Sequence, residues 1–473
     1  MNSFIGRELE LEKLKALSQK KTASFILIRG RRRIGKSRLA EEFSKNFDYF
    51  YRFEGLTPQE STTTQDQLST FSKQLSFQFK APKALYSDWT DALQALGERV
   101  SKGKTLILFD EISWMSINDP TFLAKIKIFW DQQLKQNPQL VFIICGSASA
   151  WIDKNILSNS GFVGRISYTL TLEELPLSDC SKFWPKKISA HEKLKVLAVT
   201  GGIPKYLEEI NPKLSAEENI KQLCFTKGAF LVEEFNQIFS DLFLRDSVLY
   251  KKIIETLSDG PKERNKICEI LGIQAGGRIT EYLWELELSG FITRDPLWSL
   301  NTGEDSKLSQ YRLSDNYLRF YLKYIEKNLS KINRDSFNFK SLALLPEWKS
   351  LMGLQIENLI VNNKTLIHAA LKIHPNEIIN ENPYYQRKTS RYEGCQIDYL
   401  IQTSYGTLYL CEIKFSQNPI GMEVIQEVEK KIKALHCPRN YSYRPVLIHV
   451  NGVTEDLIAE NYFVEIIDLS KFL

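Results

Sequence analysis

Short apolar runs recur along the first 175 positions, and most of them stop close to a glycine, an acid or a small polar residue. Runs of this length bounded by turn signals predict buried strands. The predicted strands cover 24–28, 48–53, 104–111, 139–147 and 166–172. Amphipathic stretches near 61–79 and 88–101 predict helices between the second and third strands. Together these elements indicate an α/β fold with a parallel sheet.

The middle of the chain changes to short helices followed by a hairpin. The predicted helices cover 247–257, 264–271 and 279–288. Two strands, at 291–295 and 311–314, follow around a polar loop at 301–309. Three short helices and a hairpin predict a winged helix-turn-helix domain.

The last part of the chain combines helices with a second hairpin. A helix over 351–360 precedes a strand at 396–401, and a turn at 404–407 leads to the partner strand at 408–415. A basic helix is predicted at 423–433. This order favours a further α/β domain.

Length and composition limit the class of protein. A chain of 473 residues exceeds one ordinary core, so about three domains are expected. The contents of 43% hydrophobic and 25% charged residues are typical of a globular protein in water. The net charge of +5 is small, so any basic surface for nucleic acid must be local. The seven cysteines form no C-x-x-C pair, which predicts reduced, mostly buried thiols and no zinc site.

The loop at 30–37, GRRRIGKS, matches the complete G-x-x-x-x-G-K-[ST] phosphate-binding pattern. It lies between a predicted strand and a helix, so backbone N–H groups and the helix N-terminus can face a phosphate. Lys36 is expected to reach the β- and γ-phosphates of a nucleoside triphosphate, and the Ser37 hydroxyl to bind Mg²⁺. The residues expected around the nucleotide are Gly30, Arg31, Arg32, Arg33, Ile34, Gly35, Lys36, Ser37 and Arg38.

Two further strands end in residues that suit phosphate chemistry. Asp110 and Glu111 end one strand, where Asp110 is expected to hold the Mg²⁺ shell and Glu111 to activate the attacking water. Ser147 ends the next strand and is a candidate sensor of the γ-phosphate, although an ordinary strand-end serine fits the pattern nearly as well. Carboxyl ends of parallel strands face the ligand in such sheets, so we expect these residues to meet.

Two arginines leave alternatives open. Arg7 precedes the first strand and either lies over a nucleotide base or caps a surface helix. Arg165 follows a flexible stretch and either stabilises transition-state charge, in the same chain or a neighbouring subunit, or is an unpaired surface residue.

The winged region is predicted to pack or regulate rather than to read DNA. Its would-be recognition helix carries Glu281, Glu285 and Glu287 against a single Arg278, and these acids would repel phosphates. The segment 319–327 alternates aromatic and basic residues. It could stack on single strands, but its helical spacing favours an aromatic core seam with solvated lysines.

The C-terminal hairpin carries a second set of acids. Side chains alternate along a strand, so Glu412 and Lys414 point to the same side, and Asp398 on the paired strand can come alongside. Acids and a lysine that converge within apolar sequence could bind Mg²⁺, through Asp398 and Glu412, and act on a phosphodiester. The alternatives are a solvent-facing ion pair or a fold that has lost cleavage.

The N-terminal motifs together resemble the archaeal-type P-loop ATPase family, which is related to the AAA+ and signal-transduction ATPases. The motifs that carry this resemblance are FIGRE, GRRRIGKS, LILFDEIS, IICGS, the later Gly-Arg pair and Gly-Gly-Ile-Pro-Lys-Tyr at 201–206. The resemblance implies ATP as the nucleotide and a parallel sheet in which the strand of Asp110 neighbours an inserted strand. It also implies a helical lid that brings Pro204 close to the nucleotide.

The C-terminal hairpin resembles the PD-(D/E)XK nuclease fold, which implies that Glu357 is the acid of the preceding helix. Gln426, on the basic helix, is a further candidate. Ile397 stands where many members of that fold have proline. The stretch beginning at Tyr311 resembles the start of a domain that usually accompanies this ATPase family.

We therefore predict a Mg²⁺-dependent ATPase that couples nucleotide state to a nuclease-like domain acting on DNA or RNA. The alternative is a nucleotide-controlled switch whose C-terminal domain binds nucleic acid or a protein without cleaving. The predicted divisions are an ATPase core (1–175), a helical lid (176–240), a winged-helix-like domain (241–315), a helical linker (316–345) and a nuclease-like domain (346–473). A homo-oligomer or a regulatory protein partner is compatible with this scheme. No apolar run approaches the length of a membrane span, so a cytoplasmic location is expected.

Overall fold

The computed structural model describes residues 4–147, 149–242, 247–390 and 392–473. It divides into two compact units, one of residues 1–174 with 288–290 and one of residues 175–287 with 291–473. Among the described residues, no helix combines the length and the apolar character that a membrane span requires.

The first unit alternates strands with helices. Its elements are α1 (Glu8–Ser18), β1 (Ser24–Gly30), α2 (Lys36–Ser44), β2 (Tyr49–Glu54), α3 (Thr64–Phe79), α4 (Trp89–Arg99), β3 (Thr105–Asp110), α5 (Ile112–Met115), α6 (Phe122–Gln132), β4 (Val141–Gly146), α7 (Ser149–Ile152) and β5 (Tyr168–Leu172). The predicted strands and helices therefore exist, with ends displaced by a few residues.

These five strands form one parallel sheet in the order β2-β3-β4-β1-β5. Strand β4 lies between the strand of the phosphate loop and the strand of Asp110, which confirms the inserted strand implied by the resemblance. Because all strands run in one direction, Gly30, Asp110 and Gly146 end at the same edge. The core beneath this edge is rich in aromatic residues, including Phe25, Phe109 and Phe142.

The local sequence accounts for the starts of the two helices that connect β2 to β3. Thr63 and Asp66 form a capping box at the start of α3, where each side chain accepts a hydrogen bond from the other's backbone N–H. The Asp88 side chain accepts from the Thr90 N–H at the start of α4. Because these caps define the first turns, α3 begins at Thr64 rather than at 61, and α4 begins at Trp89 rather than at 88.

The second unit contains a helical part, a small antiparallel sheet and a larger mixed sheet. Its helices are α8 (Leu177–Cys180), α9 (Ala190–Thr200), α10 (Pro204–Glu208), α11 (Ala216–Cys224), α12 (Phe230–Leu242), α13 (Ser247–Leu257), α14 (Arg264–Leu271), α15 (Gly277–Leu288), α16 (Asn316–Phe320), α17 (Glu326–Asn333), α18 (Trp348–Asn362), α19 (Lys364–Leu371), α20 (Glu423–Ala434) and α21 (Glu455–Ala459). Its strands are β6 (Lys262–Glu263), β7 (Ile292–Trp298), β8 (Asp305–Leu313), β9 (Ile378–Gln386), β10 (Cys395–Thr403), β11 (Thr407–Ile413), β12 (Ser442–His449) and β13 (Glu465–Asp468).

The small sheet has the order β6-β8-β7 and follows three helices, α13, α14 and α15. The polar loop predicted at 301–309 is too long, because β8 already begins at Asp305. Pairing of Trp298 with Asp305 and of Pro296 with Ser309 holds this part of β8 in the sheet. Its first residues are mostly exposed and polar, so hydrophobicity gave no signal for a strand.

The tip of this hairpin packs into the C-terminal part of the unit. Trp298 and Leu300 are buried in a cluster with Tyr384 and Leu400. The Trp298 indole donates a hydrogen bond to Gln402 Oε1 at 2.6 Å. The hairpin tip is therefore buried within the unit, and the winged-helix identity of this region stays a prediction.

The aromatic segment after β8 lies in the core, as its helical spacing predicts. Tyr317, Phe320 and Tyr321 are buried. The expectation of solvated lysines is wrong for Lys323, and Arg319 is buried as well. Arg319 is 1% exposed, and Lys323 forms ion pairs with Asp259 and Glu347. Arg319 is held by hydrogen bonds to Gln355 Oε1 at 2.6 Å and to the Leu313 carbonyl at 2.5 Å.

The large sheet has the order β13-β12-β11-β10-β9. Strands β9, β10 and β11 pair antiparallel, whereas β11, β12 and β13 pair parallel. The predicted turn at 404–407 joins β10 to β11. Helix α20 connects β11 to β12 and packs apolar side chains, among them Val424 and Val428, against the sheet.

A buried polar cluster ties α19 to this sheet and generates a pH prediction. Glu381 accepts from the Tyr399 hydroxyl at 2.6 Å, pairs with Lys364 Nζ at 2.6 Å and contacts His368 Nε2. Burial alone would raise the pKa of Glu381, but hydrogen bonds from His368, Lys364 and Tyr399 lower it to about 2.

We expect Glu381→Gln to lower the free energy of unfolding by about 2 kcal/mol at pH 7, because the folded state favours the ionised carboxylate. The folded pKa lies below the unfolded one, so this stabilisation is present above the unfolded value of about 4.3 and is lost as the pH falls towards 2. Calorimetry of both proteins at pH 7, 5 and 3 measures the difference. It should shrink with acid, whereas Glu393→Gln, at an exposed ion pair, should have little effect at any pH. A difference that is independent of pH would contradict the ionic explanation.

Candidate functional site

The phosphate-binding loop joins β1 to α2 and turns sharply at three residues with positive φ. Gly30, Arg33 and Gly35 have φ angles of 144°, 70° and 92°. A Cβ atom at Gly30 would overlap the carbonyl oxygen of Leu172 on the neighbouring strand. The loop can therefore follow this path only with glycine at its first position.

Lys36 closes the loop on itself. Its Nζ donates to the carbonyl oxygens of Gly30 at 3.0 Å and Arg31 at 3.1 Å, and the residue is buried. Ser37 follows it in the first turn of α2 and is partly buried. The ammonium is therefore held at the loop backbone, where a phosphate that replaces the two carbonyls would meet it.

The other loop residues differ in exposure. Arg31 and Ile34 are buried, Arg32 and Arg33 are partly buried, and Arg38 forms a partly exposed pair with Glu41 at 3.6 Å. Contact of these side chains with a nucleotide stays a prediction.

Arg7 fastens the loop to the rest of the first unit. The residue is 6% exposed, and its Nη2 donates to the carbonyls of Ile34 at 3.3 Å and Glu173 at 2.5 Å. Its Nη1 pairs with Glu10 at 3.0 Å in the first turn of α1. The alternative of a simple surface cap is wrong, because Arg7 is buried against the loop backbone. A contact with the base stays a prediction.

Asp110, the last residue of β3, is 2% exposed, and both of its carboxylate oxygens have partners. Its Oδ2 accepts from Arg52 Nη2 and its Oδ1 from the Cys145 thiol, each at 2.9 Å. Burial, followed by the charge of Asp110, raises the pKa of the Cys145 thiol, which keeps it protonated as a donor. Burial opposes the charge of Arg52, but the neighbouring carboxylates outweigh it and raise the pKa of the guanidinium.

Glu111 and Ser147, predicted separately as a base and a sensor, are in direct contact. Glu111 Oε2 accepts from the Ser147 N–H at 3.1 Å and from its hydroxyl at 3.0 Å. The Glu111 backbone is left-handed, with φ 51° and ψ 57°, which is uncommon for a residue with a side chain. A local strain of this kind is often retained where it directs a functional side chain.

Arg165 has a partner within the first unit. Its guanidinium forms a forked ion pair with Asp131, with Nε 3.0 Å from both carboxylate oxygens and Nη2 2.8 Å from one of them. The alternative of an unpaired surface arginine is therefore wrong. A role in charge stabilisation requires Arg165 to leave Asp131 and stays a prediction.

Pro204 belongs to the second unit, where it is the first residue of α10. Proline suits this position because its fixed φ matches the helix and its missing N–H is not needed there. Gly201, at the start of the same turn, has a positive φ of 59°.

The second unit brings the predicted C-terminal acids together around a lysine. Lys431 Nζ on α20 lies 3.0 Å from Asp398 Oδ1 and 2.6 Å from Glu412 Oε2. Lys414 Nζ lies 2.9 Å from Glu412 Oε1 and 2.6 Å from Glu427. The second oxygen of Asp398 accepts from the Ile413 N–H at 2.9 Å. These ion pairs connect β10, β11 and α20 at one point.

The charges of this cluster affect the pKa of Glu357, which lies on α18. Burial, followed by the charge of Asp398, raises the pKa of Glu357 to about 7, while the charge of Lys431 acts in the opposite direction. A carboxylic acid with this pKa can hold a proton near neutral pH and release it. The acids of this cluster and Lys431 therefore set the electrostatic environment of Glu357.

The sequence prediction missed Lys431 and selected Gln426, which is exposed. One signal was available: Glu427 and Lys431 are four residues apart on α20 and share a helix face, whereas Gln426 is rotated away from it. Arg52 was missed in the first unit for a different reason. It stands alone in an aromatic strand, and no local spacing points to Asp110.

The oxygen atoms of Ser37 and Asp110 in the first unit, and of Asp398 and Glu412 in the second, are ligands that suit Mg²⁺. This ion prefers oxygen ligands and often uses one or two carboxylates together with substrate phosphates. In the part of the chain that the structure describes, no group of three or more His, Cys, Asp or Glu side chains is arranged to hold a metal. A Mg²⁺ ion would thus depend on one acid in the first unit, or two in the second, and on the substrate.

Comparison with known proteins supports the ATPase assignment in general terms. Residues 4–210 match the model of a family described as an ATPase domain predominantly from Archaea, so this part of the chain is similar to those ATPase domains. The chain is also 28% identical to an uncharacterized protein of Methanocaldococcus jannaschii, MJECL04, over 75% of each chain.

Similar solved structures include the Walker-type ATPase of Pyrococcus abyssi, with a TM-score of 0.47 and 18% identity over 67% of this chain and 96% of that one. Another is the Aeropyrum pernix ORC2 protein in its ADPNP-ADP complexes, with a TM-score of 0.43 and 14% identity over 71% and 98%. Both scores are low, and the fold assignment rests on the strand order described above.

Gly30→Ala provides a prediction for the loop. We expect it to lower the free energy of unfolding by roughly 3 kcal/mol and nucleotide affinity by at least about tenfold, because the new methyl group must displace the backbone of β5. Gly164→Ala is the matched control, since Gly164 also has positive φ but no atom lies within 4 Å of its added Cβ. The control should lose only about 1 kcal/mol and no affinity. Thermal unfolding and titration with a fluorescent ATP analogue measure both quantities, and equal losses in the two variants would contradict the role of the Leu172 contact.

Proposed function

We propose that this chain is a Mg²⁺-dependent ATPase whose nucleotide state controls a nuclease-like C-terminal domain that acts on DNA or RNA. The observation that carries the proposal is the convergence of Asp398 and Glu412 on the Lys431 ammonium group, with Lys414 paired to Glu412. The charge of Asp398 also acts on Glu357, whose pKa burial and this charge raise to about 7. An α/β unit that places two acids and two lysines together at a hairpin has the groups that phosphodiester hydrolysis requires.

In the first unit, the loop backbone and Lys36 bind the phosphates of ATP, and Lys36 exchanges its two carbonyl partners for phosphate oxygens. Glu111 accepts a proton from the water that attacks the γ-phosphate, and Ser147 holds the Glu111 carboxylate in place. The water forms a bond to phosphorus while the bond to the β-phosphate oxygen breaks, which yields ADP and phosphate. Arg7 preserves the loop geometry throughout.

In the second unit, Glu357 supplies or accepts the proton and Lys414 stabilises the charge that develops on the phosphodiester. Mg²⁺, held by Ser37 and Asp110 in the first unit and by Asp398 and Glu412 in the second, would neutralise phosphate charge and polarise the reacting water. The attacking water forms a bond to phosphorus while one phosphorus–oxygen ester bond breaks. The leaving sugar oxygen takes up a proton and becomes a hydroxyl group, and the other product keeps the phosphate.

We assign α13, α14, α15 and the β6-β8-β7 sheet to a winged helix that packs within the second unit. Trp298 and Leu300 at the hairpin tip are buried with the C-terminal sheet. On α15, Glu285 accepts a hydrogen bond from the Tyr250 hydroxyl. An acidic recognition helix and a buried wing are unsuited to reading base edges.

One observation favours a second candidate, a nucleotide-controlled switch that binds nucleic acid or protein without cleaving it. All four carboxylate oxygens of Asp398 and Glu412 have partners within the chain, supplied by Lys431, Lys414 and the Ile413 N–H. In this alternative the ion pairs are purely structural, and ATP hydrolysis resets the switch.

Phosphate release and nucleic-acid integrity, measured in the same tubes with Mg²⁺-ATP, test the proposal. We expect Glu111→Gln to reduce hydrolysis at least about a hundredfold, and Asp398→Ala to abolish cleavage while hydrolysis continues. Glu98→Gln and Asp456→Ala, at exposed positions of the same units, are the controls. Intact DNA and RNA together with Glu111-dependent hydrolysis would favour the switch.

Lys431→Met tests whether the acids of the second unit can take a metal ion. We expect it to lower the thermal unfolding midpoint, because two acids are left without their shared ammonium group, and Mg²⁺ to restore much of that loss. Calorimetry with and without Mg²⁺ provides the measurement. Lys433→Met, at a mostly exposed lysine of the same helix, should change neither value. A variant that Mg²⁺ stabilises no more than the wild type would count against metal binding by Asp398 and Glu412.

A further inference from the structure

Arg52 connects three carboxylates at the carboxyl edge of the first sheet. Its Nη1 lies 2.7 Å from Glu41 Oε1 on α2, and its Nη2 lies 3.0 Å from Glu54 Oε2 on β2. The same Nη2 lies 2.9 Å from Asp110 Oδ2 on β3. Glu54 and Asp110 are register partners on adjacent parallel strands, so one guanidinium reaches both.

The environment of Asp110 makes this contact important. Asp110 is 2% exposed, and an ionised carboxylate at such a position is costly unless it is paired. Arg52 forms an ion pair with Asp110, whereas the Cys145 thiol is a neutral hydrogen-bond donor to it. The chain thus carries its own counter-ion at the acid that is expected to hold the Mg²⁺ shell.

A guanidinium and a divalent cation compete for this carboxylate, because like charges at short range repel strongly in a partly buried site. We propose that Arg52 is a reversible counter-ion of Asp110, which leaves Asp110 when Mg²⁺ and nucleotide bind and so sets the Mg²⁺ concentration that nucleotide binding requires. This inference rests on the proposed ATPase function of the first unit.

When Arg52 leaves Asp110, it can keep its ion pairs with the two other carboxylates, Glu41 and Glu54. Glu41 holds Nη1, and Glu54 already shares Nη2 with Asp110, so departure from Asp110 costs one of three ion pairs. The side chains of Arg52 and Glu41 are about one third exposed and that of Glu54 is half exposed, so small movements do not disturb the core. Glu41 is on the helix that begins with Lys36, which links the position of Arg52 to the phosphate-binding element.

The test is a Mg²⁺ titration of fluorescent-ATP binding to the full chain. We expect Arg52→Gln to lower the Mg²⁺ concentration for half-maximal binding about fivefold, since the competing charge is removed. Glu54→Gln should raise it about twofold, because Arg52 loses an alternative partner and holds Asp110 more tightly. Arg99→Gln, which removes the same charge from an exposed part of α4, should leave it unchanged.

Opposite shifts in the two variants distinguish competition from structural damage, which would weaken binding in both. A higher Mg²⁺ requirement in Arg52→Gln, or an unchanged one in both variants, overturns the proposal. If Arg52→Gln does not fold, Glu54→Gln decides alone: a raised requirement supports the proposal and any other result overturns it. A wild-type protein that binds no nucleotide overturns the proposed function as well. Binding without hydrolysis or cleavage overturns only that function, and the Mg²⁺ titration still decides the role of Arg52.

Discussion

Carboxylates that the fold buries must be paired with donors or cations, and both candidate sites of this chain meet that requirement. Asp110 is compensated by Arg52 and Cys145. Asp398 and Glu412 are compensated by Lys431, and Glu412 also by Lys414. Arg52 and Lys431 each lie on a different element from the acids that they contact. These ion pairs therefore connect strands and helices that are distant in the sequence.

The strand order determines which residues can act together in the first unit. Insertion of β4 between β1 and β3 places Ser147 beside Glu111 and Cys145 beside Asp110. Without this neighbour, the Glu111 carboxylate would lack the two hydrogen bonds that orient it. The parallel direction of the strands brings the phosphate loop to the same edge.

In the second unit, the burial of the hairpin tip limits what the winged region can do. Trp298 and Gln402 form a buried hydrogen bond at 2.6 Å, and the same hairpin shares a core with Tyr384. A surface used in this way contributes to the packing of the C-terminal sheet.

The sequence alone determined the features that depend on neighbouring residues. The phosphate loop is contiguous, and the ends of β3 and β4 are marked by acids and serine. Alternation along the strand predicted at 408–415 puts Glu412 and Lys414 on one side, and the two side chains form an ion pair although β11 ends at Ile413. Tertiary structure decided the partners. Three ion pairs join residues that are distant in the chain: Arg52 with Asp110, Arg165 with Asp131, and Lys431 with Asp398. The burial of Arg319 likewise depends on the elements packed around it. Hydrophobic periodicity reports burial along one element, whereas the partner of a charged side chain depends on which elements the fold brings together.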